Sequence, residues 1–271
     1  MELLTERNPA LLLSALLFAA CASVSECEEP AKGASSVEPG WISLFDGETL
    51  EGWTPKFAGS PLGHNLRDTF RARDGVLSVN YDGWDGFAGE FGHLFHAHPY
   101  DHYRMRLQVR FSGEQVPGGP GWAWRNSGIM VHGQDPATMT LDQSFPVSIE
   151  VQLLGGGEEG ERPTGNLCTP GTNVAFAHEL VTRHCTSSSS PTFRGDDWVT
   201  IEVEVRGHEL VRHLVEGQSV LEYGAPQLDP DDADAQRLLD AGVAPELGGG
   251  WISLQAESHP VEFRRIELYP L

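Results

Sequence analysis

A chain of 271 residues with a formal net charge of −21 is long enough to close one large core, and it shows no basic patch that could hold a polyanion. Only two lysines occur, Lys32 and Lys56, so nearly all positive charge is arginine. Nucleic acid is excluded as a partner on these grounds, anionic surfaces are repelled, and neutral molecules such as sugars remain the natural ligands.

The chain opens with an export pattern. Ala10 to Ala20 reads ALLLSALLFAA, too short to span a bilayer but right for the apolar core of a signal peptide. Two processing routes fit. Phe18-Ala19-Ala20-Cys21 resembles a lipoprotein cleavage box, which would lipidate Cys21 and tether the protein to a membrane, whereas cleavage after Ala22 would release it. Residues 1–22 are thus read as a signal peptide and 23–39 as a disordered tether, because CASVSECEEPAKGASSVEP has too little apolar surface to order itself. The folded domain is expected over 40–271, in a bacterial periplasm or on an outer surface.

From Gly40 the pattern is that of strands. WISLF leads to an Asp46-Gly47 turn, and TFRARDGVLSVNY places Asp74-Gly75 between two extended runs, a strong hairpin signal. Tyr103 to Phe111 alternates apolar residues with Arg104, Arg106, Gln108 and Arg110, which predicts a solvated arginine face. A Gly/Pro loop then enters IMVH, and Phe145 to Gly157 follows as FPVSIEVQLLGGG. There Val147, Ile149, Val151 and Leu153 point one way while Ser148, Glu150 and Gln152 point the other. About forty residues rich in Gly, Ser, Thr and Pro separate Gly155 from Asp197, too long for an idle connection. They contain Cys168 and Cys185, a pair that could staple the loop in an exported protein; Cys27 is left unpaired. WVTIEVEVR, then ELVRHLVEGQSVLEY as strand, turn and strand, then a helix over Asp231 to Asp240, then WISLQAESH and VEFRRIELY complete the chain. Alternating strands with one short helix predict an all-β antiparallel sandwich of the jelly-roll kind, with two sheets of about six strands.

WISLFDGETLEGW, FRARDGVLSV, RNSGIMVHG, SIEVQLLGG, RPTGNLCTPG, DDWVTIEVEVRG, HLVEGQSVLEY and the closing GGGWISLQAESHPVEFRRIELYPL, in that order, resemble the 3-keto-disaccharide hydrolase family. That family has a concanavalin A/laminarinase-like jelly roll. The resemblance implies a glucoside already oxidised to a ketone at its third carbon. The proton on the second carbon is then acidic, a base removes it, and the enolate expels the glycosidic oxygen; water addition completes hydrolysis. This route needs a base, a group that holds the enolate charge and an acid for the leaving group.

Parity supplies candidates for those roles. Glu150 is the candidate base or metal ligand, and His259 the acid or electrophile. Gln152 shares the face of Glu150, and Gln255 and Glu257 share one another's, so all three are expected to bind substrate. Arg125 and Asn126 could grip hydroxyls or the enolate, and Trp122 and Trp124 could stack on a sugar ring. No cofactor is required by the pattern, although His132 and His93 could join Glu150 around a divalent metal. A lectin-like carbohydrate-binding module and a lipoprotein interaction subunit are the competing readings, since this architecture hosts both binders and enzymes. The sequence does not define an oligomeric state.

Overall fold

The computed structural model describes residues 38–271. The expected signal peptide, Cys21 as the expected lipidation site, Cys27 and all but the end of the expected tether lie outside the described residues. In chain order the first strands are β1 (Ile42–Ser43), β2 (Trp53–Phe57), β3 (Phe70–Arg73), β4 (Val76–Val79), β5 (Gly92–Tyr100), β6 (His102–Phe111), β7 (Asn126–Gly133) and β8 (Ile149–Leu154). Four short ones follow, β9 (Asn166–Cys168), β10 (Thr172–Phe176), β11 (Glu179–Val181) and β12 (Cys185–Thr186). The chain then runs β13 (Val199–Arg206), β14 (Leu210–Val215), β15 (Gln218–Leu228), helix α1 (Ala233–Asp240), β16 (Gly250–Ala256) and β17 (Val261–Pro270).

These strands form two antiparallel sheets. One has ten strands in the order β11-β10-β15-β14-β13-β6-β17-β4-β3, with β1 added to β17; the other has seven, β12-β9-β8-β7-β16-β5-β2. Alternation explains the layering. On β6 every second residue, from Tyr103 to Phe111, is buried, and Met105, Leu107 and Phe263 meet Ile129, Ile149, Val151 and Leu254 of the other sheet in one core. Each such side chain stabilises the fold by about 1.5–3 kcal/mol through apolar burial. The expected hairpin is present: β3 pairs with β4, and Asp74 and Gly75 both have positive φ, 52° and 80°, as a tight hairpin turn requires. The helix starts two residues later than the sequence predicts, because Asp232 caps it by accepting from the amides of Asp234 and Ala235, each at 2.9 Å. It covers a small second core of Val147, Leu228, Leu238 and Leu247.

Two expectations change. The sheets hold ten and seven strands, more than the six or so expected, because β2, β5 and the four strands of residues 166–186 carry no alternation strong enough to read. The supposed loop between Gly155 and Asp197 is built from these short strands. Cys168 and Cys185 face each other across β9 and β12 and form a disulfide. Side-chain bonds complete the segment, among them Ser188 N to Asn166 Oδ1 at 2.9 Å and Thr164 N to Ser190 Oγ at 2.9 Å.

Candidate active site

The outer face of the seven-stranded sheet carries most of the candidate residues. Ile149, Val151 and Leu153 of β8 enter the core, so Glu150 and Gln152 stand on the opposite side. Register carries that side across the sheet. Glu150 pairs with Met130 and Gln152 with Gly128; Met130 pairs with Ser253; Gln255 pairs with His93; His93 pairs with Lys56. The result is a row of polar side chains from β8 to β2, every one of them buried except Gln152, which is half-buried. Gly128 leaves the space that the Glu150 carboxylate fills: a Cβ there would stand 2.7 Å from Glu150 Oε1.

Buried polar atoms are nearly always hydrogen-bonded, and this face breaks the rule. Of the fourteen buried side-chain N and O atoms without a partner among the described residues, nine belong to His93, Asn126, Ser253, Gln255, Glu257 and His259. Extending the β7–β16 register by three pairs puts Glu257 opposite Asn126, on the face of Glu150. Burial pushes the Glu150 carboxyl up to about 8. Burial, and then the charge of Glu150, push Glu257 well above the ordinary carboxylate range. Both carboxyls therefore keep their protons at pH 7, and once one member ionises toward pH 8 its charge holds the proton on the other, so that one can then accept a proton while the other donates.

Around this floor stand aromatic residues. Phe91 stacks on Trp122 with centroids 5.7 Å apart and planes at 18°, and Phe145 lies 4.8 Å from Phe91 and 5.8 Å from His93. Trp122 is 56% exposed, so part of its ring meets solvent beyond its contact with Phe91. Phe145 also lines a cavity of about 580 Å³ with Thr140, Asp142, His184 and Asp232.

The remaining candidates divide. His259 sits edge-on to Phe111 at 5.8 Å and to Trp124 at 6.0 Å. Burial, then the charges of Arg125 and Arg162, hold it at about 4, so it is neutral at pH 7, and neither of its ring nitrogens has a partner among the described residues. Arg125 donates to Gly195 O at 2.8 Å and to Asp196 Oδ1 at 2.6 Å, which ties two loops together. Trp124 has the guanidiniums of Arg125 and Arg162 at 5.7 and 5.5 Å from its ring and is not an open platform. Gln152 accepts from Asn166 Nδ2 at 3.1 Å and keeps its own amide protons free.

The trio Glu150, His93 and His132 is not brought together. Two residues of β7, Val131 and His132, face one of β16, and His132 takes φ of 51° in this bulge. Its Nε2 donates to Gly207 O at 3.0 Å, in the turn between β13 and β14 of the other sheet. His93 is three strand spacings from Glu150, about 14 Å at the backbone. Among the described residues only Cys168, His184 and Cys185 bring three donor atoms within 4.8 Å of one another, and the two sulfurs are spent in the disulfide.

Lys56, Phe91, Phe145 and Arg162 escape sequence reading. Lys56 lies in WTPKF, where Pro55 disguises an edge strand. Its rarity is the one available signal, since the only other lysine is Lys32. It is buried, donates to Phe57 O at 2.7 Å and Leu141 O at 2.8 Å, and so ties the loop carrying Phe145 to the sheet edge. Burial lowers its pKa, with Asp142 working against that shift.

Two antiparallel sheets packed on one core define a jelly-roll sandwich, and a buried polar floor lies on one of its outer faces. The model of the 3-keto-alpha-glucoside-1,2-lyase-like domain matches residues 40–269, and the chain belongs to that family. Among curated proteins none matches the chain. Two solved structures from Parabacteroides distasonis ATCC 8503, both of provisionally named glycosyl hydrolases, share the fold. One is 18% identical with a TM-score of 0.51, covering 86% of this chain and 94% of its own. The other is 16% identical with a TM-score of 0.50, covering 85% of this chain and 99% of its own.

Proposed function

We propose that this chain cleaves glucosides oxidised to a ketone at the third carbon. The ionised member of the Glu150–Glu257 pair takes the proton from the second carbon, and the electron pair of that C–H bond forms the enolate. As the enolate collapses, the bond from the first carbon to the glycosidic oxygen breaks, and the protonated carboxyl gives its proton to the departing oxygen. Water added to the resulting enone completes hydrolysis. Gln255, Gln152 and Asn126 offer amides to sugar hydroxyls, and neutral His259 offers an N–H to the enolate oxygen.

The observation that carries this reading is two buried carboxyls, Glu150 and Glu257, on one sheet face with a floor of unpartnered amides. A sheet face evolved only for solubility has no use for them. Family membership supports the substrate class. Export is part of the proposal: the ALLLSALLFAAC segment and the disulfide both suit an oxidising compartment. The exposed Trp122, stacked on Phe91, favours a second reading as a lectin-like module that binds sugar without turnover.

The test is to incubate the protein with 3-keto-glucosides and their unoxidised parents, with and without chelator, and with deuterium at the second carbon. Cleavage of the keto substrates alone, slowed by the deuterium, is expected. Equal cleavage of unoxidised glucosides would overturn the mechanism, and binding without any turnover would decide for the lectin.

A further inference from the structure

The turn from Glu257 to Pro260 carries one member of the carboxyl pair and His259. At its centre Ser258 is fully buried with φ of +81°, a left-handed conformation that a residue with a Cβ adopts at a cost. All three of its polar groups are tied to other segments. Its amide donates to Tyr81 Oη at 2.7 Å, its Oγ accepts from Gln115 Nε2 at 2.9 Å, and its carbonyl accepts from Val116 N at 3.0 Å. The same Gln115 nitrogen donates to Pro120 O at 2.9 Å. Gly119 makes room for the knot, since a Cβ there would lie 2.5 Å from Ser258 Oγ. Tyr81 is fixed in turn by its edge-on contact with Trp84, centroids 5.3 Å apart. Strain held by so many partners at the hinge between two candidate groups is strain with a use.

We propose that Ser258 and Tyr81 are positioning residues: the strained turn, clamped by Tyr81 and Gln115, aims the Glu257 carboxyl at Glu150. Freed of the clamp, Ser258 would relax to negative φ, and the chain leaving Ala256 would carry Glu257 away from its partner. The proposal rests on the acid–base reading of the pair given above. Its consequence is electrostatic, because mutual proximity is what separates the two proton releases of such a pair.

The experiment is a substrate-free NMR titration of the carbon-13-labelled glutamate carboxyls in the wild type, in Tyr81→Phe and in Ser258→Ala, beside kinetics on an accepted 3-keto-glucoside. Two separated steps are expected for the Glu150–Glu257 pair in the wild type. In Tyr81→Phe the gap should narrow by about one pH unit, with kcat reduced about tenfold and KM little changed. Ser258→Ala, which loses only the bond from Gln115, should narrow it less, and it decides the question if Tyr81→Phe does not fold. A variant titration that superposes on the wild type overturns the proposal. A wild type inactive on every keto-glucoside overturns the proposed function instead, and the titration still decides the clamp.

Discussion

The two sheets turn their polar faces outward in opposite ways. On the ten-stranded sheet most charges are matched: Arg104 bonds Glu202 at 2.7 Å, Arg106 bonds Glu267 at 2.6 Å, Arg110 bonds Glu262 at 2.5 Å, and Arg212 joins Glu204 at 3.1 Å to Glu222 at 2.8 Å, while Arg264 donates to Gln108 at 2.8 Å. Burial works against Glu204, yet the hydrogen bond from Arg206 and the charges of Arg212, Arg206 and Arg104 outweigh it and hold its carboxyl below the usual value. On the seven-stranded sheet Glu150 and Glu257 are buried to a similar degree but form no ion pair among the described residues, and they are pushed upward. The same two-residue period therefore builds a self-satisfied surface on one side and an unsatisfied floor on the other. Pairing, not polarity, separates scaffold from candidate site.

Breaking the comparison at its strongest point means removing the unpaired charge. Glu150→Gln should fold and cut turnover by about 10²–10⁴-fold, measured as initial rates on a 3-keto-glucoside, while its thermal stability above about pH 8 should rise because a buried charge is gone. A fully active variant would place the chemistry elsewhere.

The pH dependence of stability sharpens the contrast. His93 is held at about 3, and His132, His213 and His259 at about 4, against an ordinary 6.5, with burial the largest cause in each. The unfolded chain binds protons that these native histidines refuse. Their contribution is complete above pH 6.5 and is lost as pH falls toward 4, at up to about 1.4 kcal/mol per pH unit for each. Glu150 and Glu257 act in reverse. The native pair keeps protons that unfolded carboxyls release near 4.5, so their contribution declines as pH rises from there toward 8. Denaturant unfolding should show maximal stability close to pH 6.5, with an alkaline decline that Glu150→Gln flattens.

The smallest effect belongs to the matched face. Glu267→Gln should cost about 1 kcal/mol by denaturant titration, less in high salt, and leave turnover unchanged. A loss of activity there would dissolve the division between the sheets.

Much of this was legible in the residues. The parity of SIEVQ placed Glu150 correctly because a strand with one buried face cannot slip by a single residue without exposing Ile149 and Val151. Asp74-Gly75 gave its hairpin for a similarly local reason. The partner of Glu150 was less accessible: Glu257 shows in the alternation of SLQAESH, but its approach depends on a left-handed Ser258 and three long-range hydrogen bonds. His132 misleads because a bulge reverses its direction, and no local pattern marks that bulge. β5, GHLFHAHPY, hides behind three histidines and a proline, and the segment from 155 to 197 behind strands only two to five residues long.

Gly128 sets a limit of a different kind. One carbon atom added there would press on Glu150 Oε1 from 2.7 Å, so no side chain of any chemistry fits without moving the carboxylate. Any substitution is thus felt by the Glu150 carboxylate at a position that contributes no functional group at all, while on the opposite sheet a lost ion pair displaces nothing so central. A catalogue of reactive residues would pass over the one site whose whole contribution is an empty volume.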